Sequence, residues 1–353
     1  MWSEILVNYG VFVLKIITVL LVIGGIAAVI FNLKQRREGS LGELQINDLS
    51  EEYKENSKKL RDFHLSEEAF KQAEKAQKKA DKEKAKAEKA LRKKGEKIEE
   101  ERKPHLYVLN FKGDIMASET ASLREEISAI LSVADPATDE VLLRLESPGG
   151  VVHGYGLAAS QLTRLKQKGI KLTVAVDKVA ASGGYMMACV ADKIVAAPFA
   201  IIGSVGVVAQ MPNIHRFLKK RDVDVEIMTA GEYKRTMTIF GENTEKGRQK
   251  FQQELEETHA LFKQFVVQNR PRVDIDKIAT GEHWYGQQAL ELNLVDEIAT
   301  SDDLILQAIE DKSVLSVKYA VKKSLWQKLG KQAEESADTI LLNWLKRNDK
   351  TII

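Results

Sequence analysis

Residues 141–150 read VLLRLESPGG, and residues 172–188 read LTVAVDKVAASGGYMMA. Each stretch opens on a short apolar run that lacks the alternation of a half-solvated strand, and each ends in a glycine-rich turn. Strands buried on both faces of a parallel sheet look like this. Amphipathic helical patterns over 118–133 and 154–167 fill the intervals, and 105–111 reads as a further strand. Strands separated by helices of this length are βαβ units, and the expected class is α/β. Downstream, 223–228 reads as a strand, and 244–269 and 286–293 as helices. Residues 185–210 are apolar enough to suggest a membrane span, but Asp192, Lys193 and Pro198 interrupt them. They read as buried core, because a span there would cut one α/β domain in two.

Outward from this core the chain changes character twice. Residues 9–33 are apolar except for Lys15, long enough for the ~20 residues that cross a bilayer core. No Lys or Arg precedes the run, which favours a retained transmembrane anchor over a cleaved signal peptide. Lys34, Arg36 and Arg37 follow it, and the positive-inside rule then points to a cytoplasmic location for the bulk of the chain. Residues 34–103 include EKAQKKADKEKAKAEKALRKK, rich in helix formers and i,i+4 acid–base pairs but too polar for a core. The expected organisation is a short lead (1–8), a transmembrane helix (9–33), a charged helical spacer (34–103), a folded α/β domain (104–300) and a helical tail (301–353). Amphipathic helices are expected between 324 and 348.

Composition narrows the function. Of 353 residues, 53 are Lys or Arg and 51 Asp or Glu, for a net charge of +2, so no basic excess marks a nucleic-acid partner. One cysteine and six histidines without paired spacing offer neither a disulfide framework nor a metal site, and nothing points to a cofactor. Two glycine-rich turns stand out as places where chemistry could sit, Ser147-Pro148-Gly149-Gly150 and Ser182-Gly183-Gly184-Tyr185. Backbone N–H groups at the start of a helix have no intrahelical acceptor. Aimed at one point, such donors stabilise an oxyanion by about 3 kcal/mol each. The same pattern also describes a capped helix after a tight turn. A nucleophilic serine there needs a base. His153 is the best placed histidine, yet no carboxylate is paired with it. A lysine serves if desolvation lowers its pKa from about 10.4 toward ~7–8. Lys234, beside Tyr233 and Met237, is one candidate, although its spacing equally suits a surface lysine.

Taken in order, SPGG (147–150), ASGGYMMA (181–188), IIGSVGVV (201–208) and GEYKRTMT (231–238) resemble the signal peptide peptidase A family. The resemblance covers about 104–300 and implies a ClpP/crotonase-like fold and a serine–lysine dyad. On the matching positions, Ser182 is the nucleophile and Lys234 the general base. Ser204 would orient Lys234, and the oxyanion donors would be the N–H groups of Gly183 and of Gly150 or Gly149. The resemblance also implies a homo-oligomer acting on peptides or unfolded proteins at the cell inner membrane, with envelope proteins and spent signal peptides as substrates. That association suggests the periplasm, against the charge rule. Two other functions fit parts of the pattern: a non-catalytic membrane scaffold, and acyl-CoA chemistry on the shared fold.

Overall fold

The computed structural model describes residues 42–63 and 102–321, together with Lys15, Ile16, Thr18 and Lys79. Apart from Lys15, Ile16 and Thr18, the apolar stretch 9–33 lies outside the described residues, as do most of the lysine-rich part of the expected spacer and the expected helices of 324–348. Among the described residues, no helix is long and apolar enough to cross a membrane.

Ten strands and nine helices make up the described chain. In order they are β1 (Gly42–Asp48), α1 (Leu49–Phe63), β2 (His105–Lys112), α2 (Thr120–Val133), β3 (Glu140–Glu146), α3 (Val152–Gln167), β4 (Lys171–Val176) and β5 (Val179–Ala181). Then come α4 (Gly183–Ala188), β6 (Lys193–Ala196), β7 (Ile201–Gly203), α5 (His215–Lys219), α6 (Glu245–Asn269), α7 (Ile275–Ile278) and β8 (His283–Tyr285). The last are α8 (Gly286–Glu291), β9 (Glu297–Ile298), α9 (Ser301–Ile309) and β10 (Ser313–Val321). A seven-stranded sheet has the order β1-β10-β2-β3-β4-β6-β9, and its ladders from β10 to β9 are parallel. A second sheet has the order β5-β7-β8, parallel then antiparallel. The α/β class is therefore the observed one.

Side-chain alternation divides the large sheet between two cores. Tyr107, Leu109 and Phe111 of β2, with Val141, Leu143 and Leu145 of β3, pack on one side with α2, α3 and α4. Leu106, Val108 and Leu142 point to the other side, against Ile305 of α9 and Val314. Both faces are covered, which explains why these strands read as continuous apolar runs. Tyr185, Met187 and Ala188, with Ile194, Val195, Ile202 and Val205, are buried. This agrees with reading the apolar stretch from 185 as core, up to Val205.

Three features depart from the expectations. Gly42–Asp48 is a strand inside the expected helical spacer, and Ser50, just after it, is buried and accepts the Val314 N–H through Oγ. Residues 301–321 form α9 and the sheet strand β10, so the folded α/β unit runs past 300. The strand expected over 223–228 does not form. A strand needs a neighbouring edge to take its N–H and C=O groups, and no strand among the described residues pairs with this stretch; Val223, Ile227 and Met228 are exposed. By compactness the chain divides into a unit of residues 45–318, which carries the site described below, and a unit of the flanking residues on either side.

Candidate active site

The site begins where two paired strands end. β5 and β7 run parallel with Ala181 opposite Gly203, and the Ser182 N–H donates to the Gly203 carbonyl at 2.8 Å. Ser182 and Ser204 therefore stand one step past the last pair, at the same end of neighbouring strands. Both have positive φ, 53° and 52°. Ser182, with ψ of −119°, turns the chain from β5 directly into α4. A non-glycine residue there is strained, and such strain concentrates at functional sites. This is the strand-to-helix geometry of a nucleophile elbow, reached without the GxSxG pattern. Ser182 is half-buried, whereas Gly183 and Gly184 behind it are fully enclosed.

The first glycine turn lies against this elbow. Ser147 bridges to Ala180, with its N–H donating to the Val179 carbonyl at 2.8 Å and its carbonyl accepting the Ala181 N–H at 3.0 Å. Gly149 has φ of 90°, and a Cβ there would come 2.8 Å from both the Ser182 Cβ and the Gly183 nitrogen. Only glycine satisfies both demands. The Gly149 N–H donates to Ser147 Oγ at 3.1 Å. Among the described residues, no hydrogen bond engages the N–H of Gly150 or that of Gly183. Of the two glycines expected as alternative donors in this turn, Gly149 is engaged and Gly150 is open.

A cavity of about 80 Å³ adjoins Ser182, lined by Gly150, Val152, Gly183, Met186, Val207 and Phe262 among others. Phe262 and Thr258, which also lines it, come from α6. The helical pattern of α6 gave no sign of a role at the site, since these residues face inward like any other helix-core position.

Ser204 donates its N–H to the Glu282 carbonyl at 2.7 Å and its hydroxyl to the Gly281 carbonyl at 3.4 Å. Lys234 lies apart from the other expected site residues. It is exposed, in the loop that follows Gly231, and its N–H donates to the Gly231 carbonyl at 3.2 Å. Neither a hydrogen bond nor an ion pair joins it to Ser182 or Ser204, and it does not line the cavity. Its neighbours are engaged with α6: Glu232 pairs with Lys246, and the Tyr233 ring lies beneath the Lys246 and Lys250 ammonium groups. No residue between 206 and 240 is buried.

Other chemistry is less well provided for. His153 is exposed at the start of α3. The single cysteine, Cys189, is fully buried, and burial pushes its thiol up to about 12, which leaves it inert as a nucleophile. Among the described residues, no group of three or more His, Cys, Asp or Glu side chains could hold a metal ion.

The comparisons with known proteins agree with one another. Residues 4–162 match the model described as "Peptidase family S49 N-terminal", and 164–315 match "Peptidase family S49". The chain is 68% identical over 341 residues to "Probable protease SohB" of Haemophilus influenzae, covering 97% of this chain and 96% of that protein. It is 50% identical over 339 residues to the protein of the same name from Buchnera aphidicola of Acyrthosiphon pisum, covering 96% and 97%. A more distant relative is "Protease 4" of Haemophilus influenzae, 28% identical over 60% of this chain and 36% of the relative. Two adjoining family matches and near full-length identity make the chain a member of peptidase family S49.

Proposed function

We propose that the protein is a membrane-anchored serine endopeptidase on a ClpP/crotonase-like fold, with Ser182 as nucleophile and Lys234 as general base. The observation that carries this reading is the Ser182 turn, strained at φ 53° and flanked by the unengaged N–H groups of Gly183 and Gly150. In the proposed reaction, neutral Lys234 accepts the Ser182 proton as Oγ attacks a peptide carbonyl. The two N–H groups hold the tetrahedral oxyanion, and Lys234 returns the proton to the leaving amine. Water then hydrolyses the acyl-enzyme. Ser204, next to Ser182 on the paired strand, would orient the lysine. The small, largely apolar cavity beside Ser182 suits a small aliphatic side chain preceding the scissile bond.

Lysine acts as a base only when neutral, which requires a dry environment. The exposed placement of Lys234 implies that a further packing step supplies it. The segment 206–240 exposes Val208, Phe217, Met228 and Phe240, with Val208 89% and Met228 87% accessible. Large apolar side chains exposed along one segment suit an interaction surface, and a homo-oligomer would both cover them and bring Lys234 to a nucleophile. In this reading 9–33 is the anchor in the inner membrane, 34–103 includes the spacer, and remnants of signal peptides or misfolded envelope proteins are the substrates.

The test is fluorophosphonate labelling of the full-length protein, comparing wild type with Ser182→Ala and Lys234→Ala. Labelling of the wild type that is lost in both variants supports the dyad. Labelling that persists without Ser182 places the nucleophile elsewhere. A folded, assembled wild type that does not label favours the scaffold reading, and coenzyme A binding by that protein would favour acyl-CoA chemistry.

A further inference from the structure

The proposed reaction uses neither of two hydroxyls enclosed behind the site. Ser147 and Tyr155 are both fully buried. Ser147 Oγ lies 2.6 Å from Tyr155 Oη, and Tyr155 Oη donates to the Asp114 carbonyl at 2.8 Å. A phenol has one proton, so with that proton on Asp114 the Ser147 hydroxyl must be the donor in the bond between them. Ser147 Oγ is then an acceptor for the Gly149 N–H at 3.1 Å. The result is a single directed chain: Gly149 N–H to Ser147, Ser147 O–H to Tyr155, and Tyr155 O–H to the Asp114 carbonyl. Burial raises the Tyr155 phenol above its usual range, outweighing the opposing effect of the Ser147 hydrogen bond. The phenol therefore keeps its proton, and the direction of the chain is fixed.

This chain governs where the neighbouring amides point. With the Gly149 N–H held by Ser147, the next N–H, that of Gly150, takes no part in the hydrogen bonding of the turn. The Tyr155 ring also lies directly beneath Gly183, where any Cβ would overlap it, and a Cβ on Gly184 would overlap the Ser147 carbonyl. One side chain thus touches both segments that carry unengaged N–H groups. The backbone of Ser147 meanwhile ties the first turn to the strand that ends at Ser182.

We infer that Ser147 and Tyr155 are positioning residues that set the spacing of the Gly150 and Gly183 N–H groups as an oxyanion hole. The inference rests on the peptidase reading above and adds a role for two side chains that never touch the substrate. Donors of this kind act only when correctly placed, and errors of about 1 Å cost on the order of 100-fold in rate.

The experiment uses the full-length protein as wild type, Ser147→Ala, Tyr155→Phe and the double variant. It measures kcat and KM on a fluorogenic peptide with alanine before the scissile bond. It also measures inhibition by the matching peptide aldehyde, whose tetrahedral adduct must place its oxygen in the hole. Ser147→Ala is expected to lower kcat by about 30- to 100-fold with KM within about twofold, and to weaken the aldehyde by a similar factor. Tyr155→Phe, which leaves Ser147 in place, should lose about tenfold in both. Because the two residues act in one chain, the double variant should be no more than about twofold worse than Ser147→Ala. If Ser147→Ala fails to fold, Tyr155→Phe carries the same readouts. Variants with full kcat, or losses that follow the folded fraction while the aldehyde keeps its affinity relative to substrate, overturn the positioning role and leave the peptidase standing. A wild type that neither cleaves the peptide nor reacts with fluorophosphonate overturns both.

Discussion

The turn at 147–150 and the segment at 206–240 each supply part of the proposed chemistry, and they are built in opposite ways. The first is held by backbone bonds to β5, by two buried hydroxyls and by a glycine that no other residue can replace. The second has no buried residue, pairs with no strand among the described residues and presents apolar side chains to solvent. In the proposed reading, the nucleophile and its hole are finished within one chain, whereas the base is not. On that reading the peptidase would stay inactive until a later packing event brings Lys234 to Ser182.

The comparison fails if Lys234 is either dispensable or structural. Lys234→Ala should cut peptide turnover by about 10³-fold, roughly 4 kcal/mol of barrier, while leaving the thermal midpoint within a degree or two, because an exposed side chain carries little of the fold. A midpoint that falls with activity would move the lysine into the folded framework.

The buried framework away from the turn can be tested separately. Arg270, at the end of α6, donates to both carboxylate oxygens of Asp296 at 2.8 Å, and Asp296 also accepts the Ile194 N–H. Burial pushes the Asp296 carboxyl up, but the Arg270 guanidinium and the Ile194 N–H together hold it below the usual carboxylate range. A carboxylate depressed in the folded state adds stability above its unfolded value of about 3.9, and that stability is lost as pH falls through the folded value. Asp296→Asn should therefore destabilise by roughly 2 to 4 kcal/mol at neutral pH, with the difference closing in denaturant titrations as pH falls below the ordinary carboxylate range.

The open half responds to charge on its apolar face. Met228→Lys should weaken self-association by about tenfold, roughly 1.4 kcal/mol, in light scattering or sedimentation, and leave the midpoint of the dilute protein unchanged. A variant that assembles as wild type would show that this face serves something else. The smallest effect belongs to Cys189: iodoacetamide at pH 8 should leave the native protein unmodified, whereas denaturant exposes the thiol to rapid alkylation.

Much of the frame could be read before the fold was known, because buried parallel strands announce themselves. The runs at 105–111, 141–145 and 172–176 are apolar on both faces since both faces of the sheet are covered. The edge strand β1 escaped notice because GELQIND is almost wholly exposed; its membership of the sheet comes from a neighbouring strand and not from its own side chains. The reverse holds at 223–228, where β-branched residues suggested a strand that finds no partner among the described residues. At the site, the two glycine turns were legible as turns. The positive φ of Ser182 was not, since it is imposed by β5, β7 and α4 together. Nor was the role of Ser147, whose partner Tyr155 stands eight residues away within a helix and meets it only when the chain turns back.

The backbone of Ser182 carries an evolutionary consequence. A side chain held at φ 53° is strained by about 1 to 3 kcal/mol, and glycine relieves that strain. Ser182→Gly should therefore melt above the wild type while catalysing nothing. Quality control, which removes unstable chains, has no grip on such a variant. Descendants that lose the chemistry by this route would persist in the cell as sturdy, assembled proteins, free to be recruited for binding alone.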